Sequence, residues 1–518
     1  MSTRVFDLVT LLCAGVLASF VMSSLTPFGA ATTPDSLSYL DIAAHIAAGD
    51  GWKTTDFSFD PSLAHGLTEQ RAWPPLYPAA LALFVADGAD VGAAALLSGI
   101  LLTASIVLLV LILRPAMPWS AALALGILSG LSLPMLTVHA FAWSETLFIA
   151  LLLLAVWSGA HYLALGPKNR TWRTAMLTTT VAALILLVYT RYIGIVFSLL
   201  LPAMLLLDRH TPGSSRKIVV AGLVYALGVG YLLLSNLLAS GHLSGAPRQP
   251  SVEGLAGAMA DLGEALAALV PDGFQLYVLA VIGAALLAWL RLRQVPTPSQ
   301  RAHARHAGML LGLAVAAYLA ALLALRSRYQ FDAIDVRLVS PALVGLLGLL
   351  ALLPWTIDGR GAGSAVQWMA GLLIVLAGAH GYIRLDTIGD NWQAHANPGL
   401  QLNSSTPYNN LTQPADRNST RKFLDEVMQS DGVLVTDRPI VWQFRGGHRA
   451  MQRPAEFDSA TLAALDRLPR GSLLVMPAGE LEVFEATAGD RFQYMVLGET
   501  IAIPLPLGGA RPTAAIAE

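Results

Sequence analysis

The chain has 518 residues, a formal net charge of −2, 13% charged residues and 55% hydrophobic ones. Soluble domains carry about 25% charged residues, so a soluble enzyme is excluded, and the near-neutral balance gives no electrostatic footprint for nucleic acid. The single cysteine, Cys13, excludes an internal disulfide.

An apolar run over 5–25 follows a short N-terminus with Arg4. No cleavage site follows it and many further apolar runs do, so it reads as a retained signal-anchor. The segment 27–90 is unlike a simple connector. It opens with Thr33-Pro34-Asp35-Ser36-Leu37-Ser38-Tyr39-Leu40-Asp41. Pro34 near its start and Gly49 near its end predict a helix over 35–48, with Leu37, Leu40, Ala44 and Ala47 on one face. Asp35 and Tyr39, four residues apart, share a face of that helix. The segment ends in Trp73-Pro74-Pro75-Leu76-Tyr77-Pro78. The stretch 76–86 is apolar but too short to span and predicts a helix lying at the membrane interface.

Further spans are predicted over 91–113, 118–137, 144–165, 174–190, 193–208, 217–239, 274–292, 307–325, 337–354 and 366–383. With the first, they make a polytopic α-helical membrane protein of about eleven spans, each near the twenty residues a bilayer needs. Arg114, Lys168, Arg170, Arg173, Arg209, Arg216, Lys217, Arg291, Arg293, Arg301, Arg305 and Arg360 then fall in cytoplasmic connections if the N-terminus is inside. The segments 27–90 and 240–273 fall outside. Arg326, Arg328 and Arg337 stand on the wrong side for that rule and mark a candidate anion site. Basic residues are almost all arginine, as in GC-rich bacterial genomes. No internal repeat is visible, which argues against a transporter built from inverted halves.

The composition changes near residue 385. Residues 386–420 are rich in Asn, Ser, Thr and Pro and read as a linker, which also accounts for the Asn-x-Ser/Thr triplets at Asn403, Asn410 and Asn418. Beyond it, helical pieces over 421–429 and 460–468 alternate with strands over 432–436, 472–476 and 491–497. This predicts a small α/β domain over 421–518, placed outside by span parity.

An acidic residue at the mouth of a membrane bundle is costly unless paired, solvated or used. Asp35 therefore has two readings: a carboxylate stabilising the start of its helix, or a general base. Asp41 is the second candidate. Glu145, in Trp143-Ser144-Glu145-Thr146, either caps a helix or lines the same cavity. Arg191 and Tyr192 interrupt two apolar runs, and Arg337 opens another. Each arginine is either a snorkelling side chain or half of a phosphate clamp, because a guanidinium forks onto two phosphate oxygens. Asp332 or Asp335 would neutralise Arg337, and Arg326 and Arg328 are further clamp candidates. His45, His65 and His139 form no compact metal signature. A divalent ion held by loop carboxylates and water stays open, but no metal or other cofactor is required.

In the order and placement of these motifs, the first 385 residues or so resemble the GT-C superfamily of polytopic glycosyltransferases, in its bacterial branch. That group includes protein O-mannosyltransferases and the lipid A aminoarabinose transferase. The motifs are Asp35-Ser36-Leu37-Ser38-Tyr39, Gly49-Asp50-Gly51-Trp52, Trp73-Pro74-Pro75-Leu76-Tyr77-Pro78, Glu145, Thr190-Arg191-Tyr192, and Arg337 with Pro341. Protein O-mannosyltransferases have an Asp-Glu pair where this chain has Asp35-Ser36. The resemblance implies a polyprenyl-phosphate-linked sugar donor. It implies a glycan, lipid or protein acceptor and transfer at the outer face of the plasma (inner) membrane. Asp35 is then the base, with Arg191 or Arg337 on the departing lipid phosphate. Tyr39, Asp41, Trp73, Tyr77, Glu145 and Tyr192 complete the substrate site. The rival readings are a polyprenyl-linked lipid flippase or transporter without transferase activity, and a non-catalytic assembly or sensor protein.

Overall fold

The computed structural model describes residues 3–27, 29–59, 66–85, 90–166, 168–209, 211, 213–270, 281, 297–331, 333–356, 362–394, 428, 432–436, 449–454, 456–488, 494–497, 500–505 and 507. The chain divides into two compact units. The first comprises Met1–Pro27, Arg71–Tyr77 and Ala95–Ile388; the second comprises Phe28–Gln70, Pro78–Ala94 and Gly389–Glu518.

The first unit is a helical bundle. Among the described residues, seven helices are long and apolar enough to cross a membrane: Val5–Leu25, Val91–Leu113, Glu145–Ala164, Arg170–Thr190, Ser214–Ser240, Pro298–Arg328 and Val336–Thr356. In lipid a chain must satisfy its own backbone polar groups, and a helix does so within one segment. The chain is thus a multi-pass membrane protein. The predicted span 118–137 is broken: Trp119–Gly130 and Leu133–Ala140 meet at 54°. Pro134 has no N–H to offer the carbonyl one turn back, and its ring clashes there; the first helix ends at Gly130, four residues earlier. The predicted span 193–208 begins as a 3-10 helix, Tyr192–Leu199, and continues as an α-helix, Leu200–Leu207. The 3-10 rise of about 2.0 Å per residue lengthens this short apolar segment to roughly the thickness of a hydrocarbon core. The last apolar stretch, Met369–Leu385, lies within a helix Ala362–Ala394 that runs on into the expected linker. The predicted span 274–292, the rest of that linker and the helix over 421–429 fall outside the described residues, apart from isolated positions.

We name Glu145–Ala164 helix α7, Arg170–Thr190 α8, Ser214–Ser240 α10, Pro298–Arg328 α12 and Val336–Thr356 α13, counting the described α-helices in chain order. Helix α12 packs against α7, α13 and the 3-10 segment, and α7 also against α8. Their shared core is aromatic. Phe197 stacks on Tyr318 at 6.0 Å, and Phe148 lies 5.7 Å from Phe197 and 6.0 Å from Tyr318. The buried Tyr318 hydroxyl donates to the Leu338 carbonyl at 2.8 Å, which fixes the first turn of α13, where Arg337 lies.

In the second unit, helix α2 spans Pro34–Ala48 as predicted. Thr33 caps it by accepting from the Ser36 N–H, Pro34 occupies the first turn where its missing N–H costs nothing, and Gly49 ends it at φ +88°. Its burial differs from the predicted single face. Ser36, Leu37 and Tyr39–Ala43 are all buried, while Ala47 is exposed. The strands Lys53–Thr55 and Leu67–Glu69 pair antiparallel. The α/β region contains a five-stranded mixed sheet. Val433–Thr436 lies between Arg449–Gln452 and Ser472–Pro477, parallel to both; Thr500–Leu505 pairs antiparallel with Ser472–Pro477 and with Met495–Leu497. Its core gathers Val433, Val435, Met451, Leu462, Leu465, Leu474, Met476, Phe484, Ile501 and Ile503, and Phe59 from the chain after α2 packs against it. The Gln452 N–H donates to the Phe57 carbonyl at 2.6 Å. The predicted strands over 432–436 and 472–476 are present, and the helix over 460–468 is Ser459–Leu465. Strands Arg449–Gln452 and Thr500–Leu505 and helix Leu481–Ala488 are additional.

Candidate active site

Three of the residues singled out by sequence meet at one end of α7. Glu145, its first residue, is fully buried. Its Oε1 receives Arg191 Nη1 at 2.5 Å and Arg337 Nε at 2.6 Å. Arg191 Nη1 also donates to Ser144 Oγ at 3.3 Å, and Ser144 Oγ donates to Glu145 Oε2 at 3.4 Å. The Arg337 guanidinium lies 4.4 Å above the Trp143 ring, a cation–π contact, and Trp143 stacks on Phe141 at 4.0 Å. Arg337 is therefore held by charge on its edge and by a π face on its plane.

Each partner is placed by its own helix. Arg191 directly follows α8, in extended backbone (φ −151°, ψ 131°) between α8 and the 3-10 helix. Arg337 stands in the first turn of α13, where Asp335 accepts the Leu338 N–H at 3.0 Å. Asp335 was one of two expected neutralisers of Arg337. Glu145 pairs with Arg337 directly; Asp332 lies outside the described residues. Two guanidiniums thus converge on one buried carboxylate, and a planar guanidinium pair suits a tetrahedral oxyanion.

Tyr192 is bound differently. Its hydroxyl donates to the Arg71 carbonyl at 2.8 Å and accepts from Asn236 Nδ2 at 2.9 Å. Arg71 and Asn236 escaped the sequence reading. Asn236 carried a usable signal, a lone amide inside the long apolar helix α10; Arg71 carried none. Trp73, in the same chain segment as Arg71, is half-buried, and Tyr77 is fully buried.

Arg326 is not available as an anion clamp. Its Nη2 pairs with Glu253, its Nε meets Asp261 Oδ2 at 3.1 Å, and its Nη1 donates to the Phe331 carbonyl at 2.7 Å. Glu253 and Asp261 are distant from Arg326 in sequence, so only the fold reveals them. Arg328 is exposed.

Asp35, Tyr39 and Asp41 belong to the second unit. Asp35 is half-buried in the first turn of α2, and Tyr39 is buried. Asp41 is tied into the local structure. Its Oδ2 accepts from Thr54 Oγ1 at 2.5 Å and from the Thr55 N–H at 2.8 Å, and its Oδ1 accepts from Thr55 Oγ1 at 2.9 Å. It pins the first strand to α2. His45 bonds Asp50 and Thr55 at 2.9 and 3.1 Å, and His139 bonds the Met135 carbonyl at 2.7 Å. His65 is outside the described residues. Among the described residues no group of three or more His, Cys, Asp or Glu is placed to hold a metal ion.

No family model and no curated protein matches the sequence. Solved structures do match its fold. ArnT from Cupriavidus metallidurans bound to undecaprenyl phosphate superposes over 98% of this chain and 100% of its own, with a TM-score of 0.54 at 14% identity. Its apo state superposes over 97% and 98%, with a TM-score of 0.53 at 14% identity. At that identity the likeness speaks for architecture. The chain shares the membrane fold of ArnT.

Proposed function

We propose that this protein is a membrane glycosyltransferase that moves a sugar from a polyprenyl-phosphate donor to a glycan, lipid or protein acceptor. In this reading it works at the extracytoplasmic face of a bacterial plasma membrane, where the α/β region also lies and contacts the acceptor. The observation that carries the proposal is the Glu145–Arg191–Arg337 cluster. It brings two guanidiniums together on one buried carboxylate, in a fold shared with a protein that binds undecaprenyl phosphate.

The chemistry follows from charge. In a sugar-charged donor the phosphate is a diester with one negative charge, which a pair of guanidiniums can meet. As the bond between the anomeric carbon and the phosphate oxygen breaks, its electron pair leaves with the polyprenyl phosphate and the charge on that group grows. Arg191 and Arg337 then stabilise the transition state more than the ground state, which is the condition for acceleration. The Asp35 carboxylate takes the acceptor's proton, the acceptor attacks the anomeric carbon from the opposite side, and the configuration inverts. Trp73, Tyr77 and Tyr39 offer apolar faces and hydroxyls for the sugar and acceptor. Glu145 holds the two guanidiniums in register before the lipid arrives. A flippase would also need a phosphate site but would have no use for Asp35.

Arg191→Lys and Arg337→Lys test the clamp. Lysine keeps the charge but loses the planar fork. Turnover of a purified polyprenyl-phosphate sugar, measured against donor concentration, should fall in both variants and fall further in Arg191→Ala and Arg337→Ala. Unchanged donor dependence in both lysine variants would remove the clamp from the proposal.

A further inference from the structure

The backbone around Arg71 is gripped from two sides. From one side the Tyr192 hydroxyl donates to the Arg71 carbonyl at 2.8 Å. That hydroxyl is itself oriented by Asn236 Nδ2 at 2.9 Å, and the same amide donates to the Leu243 carbonyl at 3.1 Å. Asn236 is fully buried. From the other side the turn at Gly245 presses on the same carbonyl. Gly245 has φ +76°, and a Cβ there would stand 1.7 Å from the Arg71 oxygen. Only glycine fits both the backbone angle and the gap. The Arg71 side chain adds a third tie, Nη1 to Ser235 Oγ at 3.1 Å. Arg71 begins the short strap that carries Trp73 and enters the helix Leu76–Ala82. Tyr192 follows Arg191, whose guanidinium lies in the Glu145 cluster.

We infer that Tyr192 is a positioning residue that couples the Arg191 segment to the strap 71–75, so that occupancy of the arginine pair by a lipid phosphate tightens the strap and sets Trp73 for the sugar. This rests on the reading of Arg191 and Arg337 as the donor-phosphate site. The coupling runs through one chain step, from the Arg191 backbone to the Tyr192 ring, and one hydrogen bond to a carbonyl that Gly245 also restrains.

The carbonyl held by Tyr192 belongs to the Arg71–Ala72 peptide bond, which is a trypsin site. Cleavage there reports the grip directly, and cleavage after the exposed Arg209 serves as an internal standard for global unfolding. The protein is compared with its Tyr192→Phe variant in detergent, with and without undecaprenyl phosphate as probe. Losing one hydrogen bond is expected to speed cleavage after Arg71 by about threefold to tenfold and leave cleavage after Arg209 unchanged. Undecaprenyl phosphate should protect Arg71 in the wild type. In Tyr192→Phe, at lipid concentrations that saturate the variant, that protection should be lost, a pattern that a merely structural hydroxyl would not give. Gly245→Ala acts on the same carbonyl from the other side and should reproduce the loss; it serves if Tyr192→Phe does not fold. Equal Arg71 cleavage in wild type and variants overturns the grip, and retained lipid protection in Tyr192→Phe overturns the coupling. Failure of the wild type to bind undecaprenyl phosphate refutes the donor reading, and the coupling with it; the lipid-free cleavage rates still judge the grip.

Discussion

Glu145→Gln offers the sharpest test of the arginine cluster, because it keeps shape and removes only charge. Glu145 Oε1 stands 2.5 Å from Arg191 Nη1 and 2.6 Å from Arg337 Nε. At an effective dielectric constant of about 20, each contact carries a gross attraction of roughly 6 kcal/mol. Desolvation of three charged groups offsets most of the sum, and removing one partner of a buried pair typically costs about 3–5 kcal/mol. Glutamine still accepts a hydrogen bond from Arg337, so a loss near the lower end, about 3 kcal/mol, is expected. The variant removes the carboxylate that both guanidiniums share, and a lipid phosphate supplies a new negative charge. Unfolding in detergent should show a lowered midpoint without lipid and a larger stabilisation by undecaprenyl phosphate in Glu145→Gln than in the wild type. The reasoning fails if the variant matches the wild type within about 1 kcal/mol, or if the lipid stabilises both equally. Either result would mean that Glu145 does not hold the arginines as charged partners.

Four other outcomes follow from the same structure. Asp35→Asn should lower transfer by about 10²–10⁴-fold, the usual worth of a general base, and leave undecaprenyl phosphate binding unchanged in the same preparation; near-wild-type turnover would remove Asp35 from that role. Gly194→Ala places a Cβ 2.6 Å from the Leu187 carbonyl, a backbone clash expected to cost about 1–3 kcal/mol, so its denaturant midpoint should drop although no functional group is touched. Asp208 carries a pH signature. Burial raises its pKa, but hydrogen bonds from Ser214, Thr211 and Tyr162 and the Arg173 charge outweigh burial and hold the carboxyl below its ordinary value. Its stabilisation is therefore present above the unfolded-state value of about 4 and lost as pH falls through the lower folded value; Asp208→Asn should flatten the acid limb of a stability–pH curve. Reporter fusions at Gly166 and Gly432 should report opposite compartments, and a shared compartment would refute the proposed topology.

Much of the architecture was written locally. Apolar runs of bilayer length become helices because a chain in lipid has few other ways to satisfy its amides, so span 91–113 is found residue for residue. Helix α2 was equally legible, since Thr33, Pro34 and Gly49 act on neighbouring backbone alone. Interruptions were harder to read. The break before Pro134 lies inside a run read as one span, and the 3-10 winding of Tyr192–Leu199 follows the interruption at Arg191; hydropathy does not distinguish one helical winding from another.

The sequence determined which residues stand at helix ends: Asp35, Glu145, Arg191 and Arg337. It did not determine what they meet. The Glu145 bridge joins residues from three separate parts of the chain, and the Arg326 tie to Glu253 and Asp261 joins two. Attraction between charges depends on distance in space, and that distance is set by the packing of α7 against α8, α12 and α13 rather than by any local spacing. The same holds for Asp41, whose carboxylate meets Thr54 and Thr55 only once they fold back onto it. Local chemistry put the charged groups at the ends of apolar helices; only tertiary packing decided which of them are spent on one another.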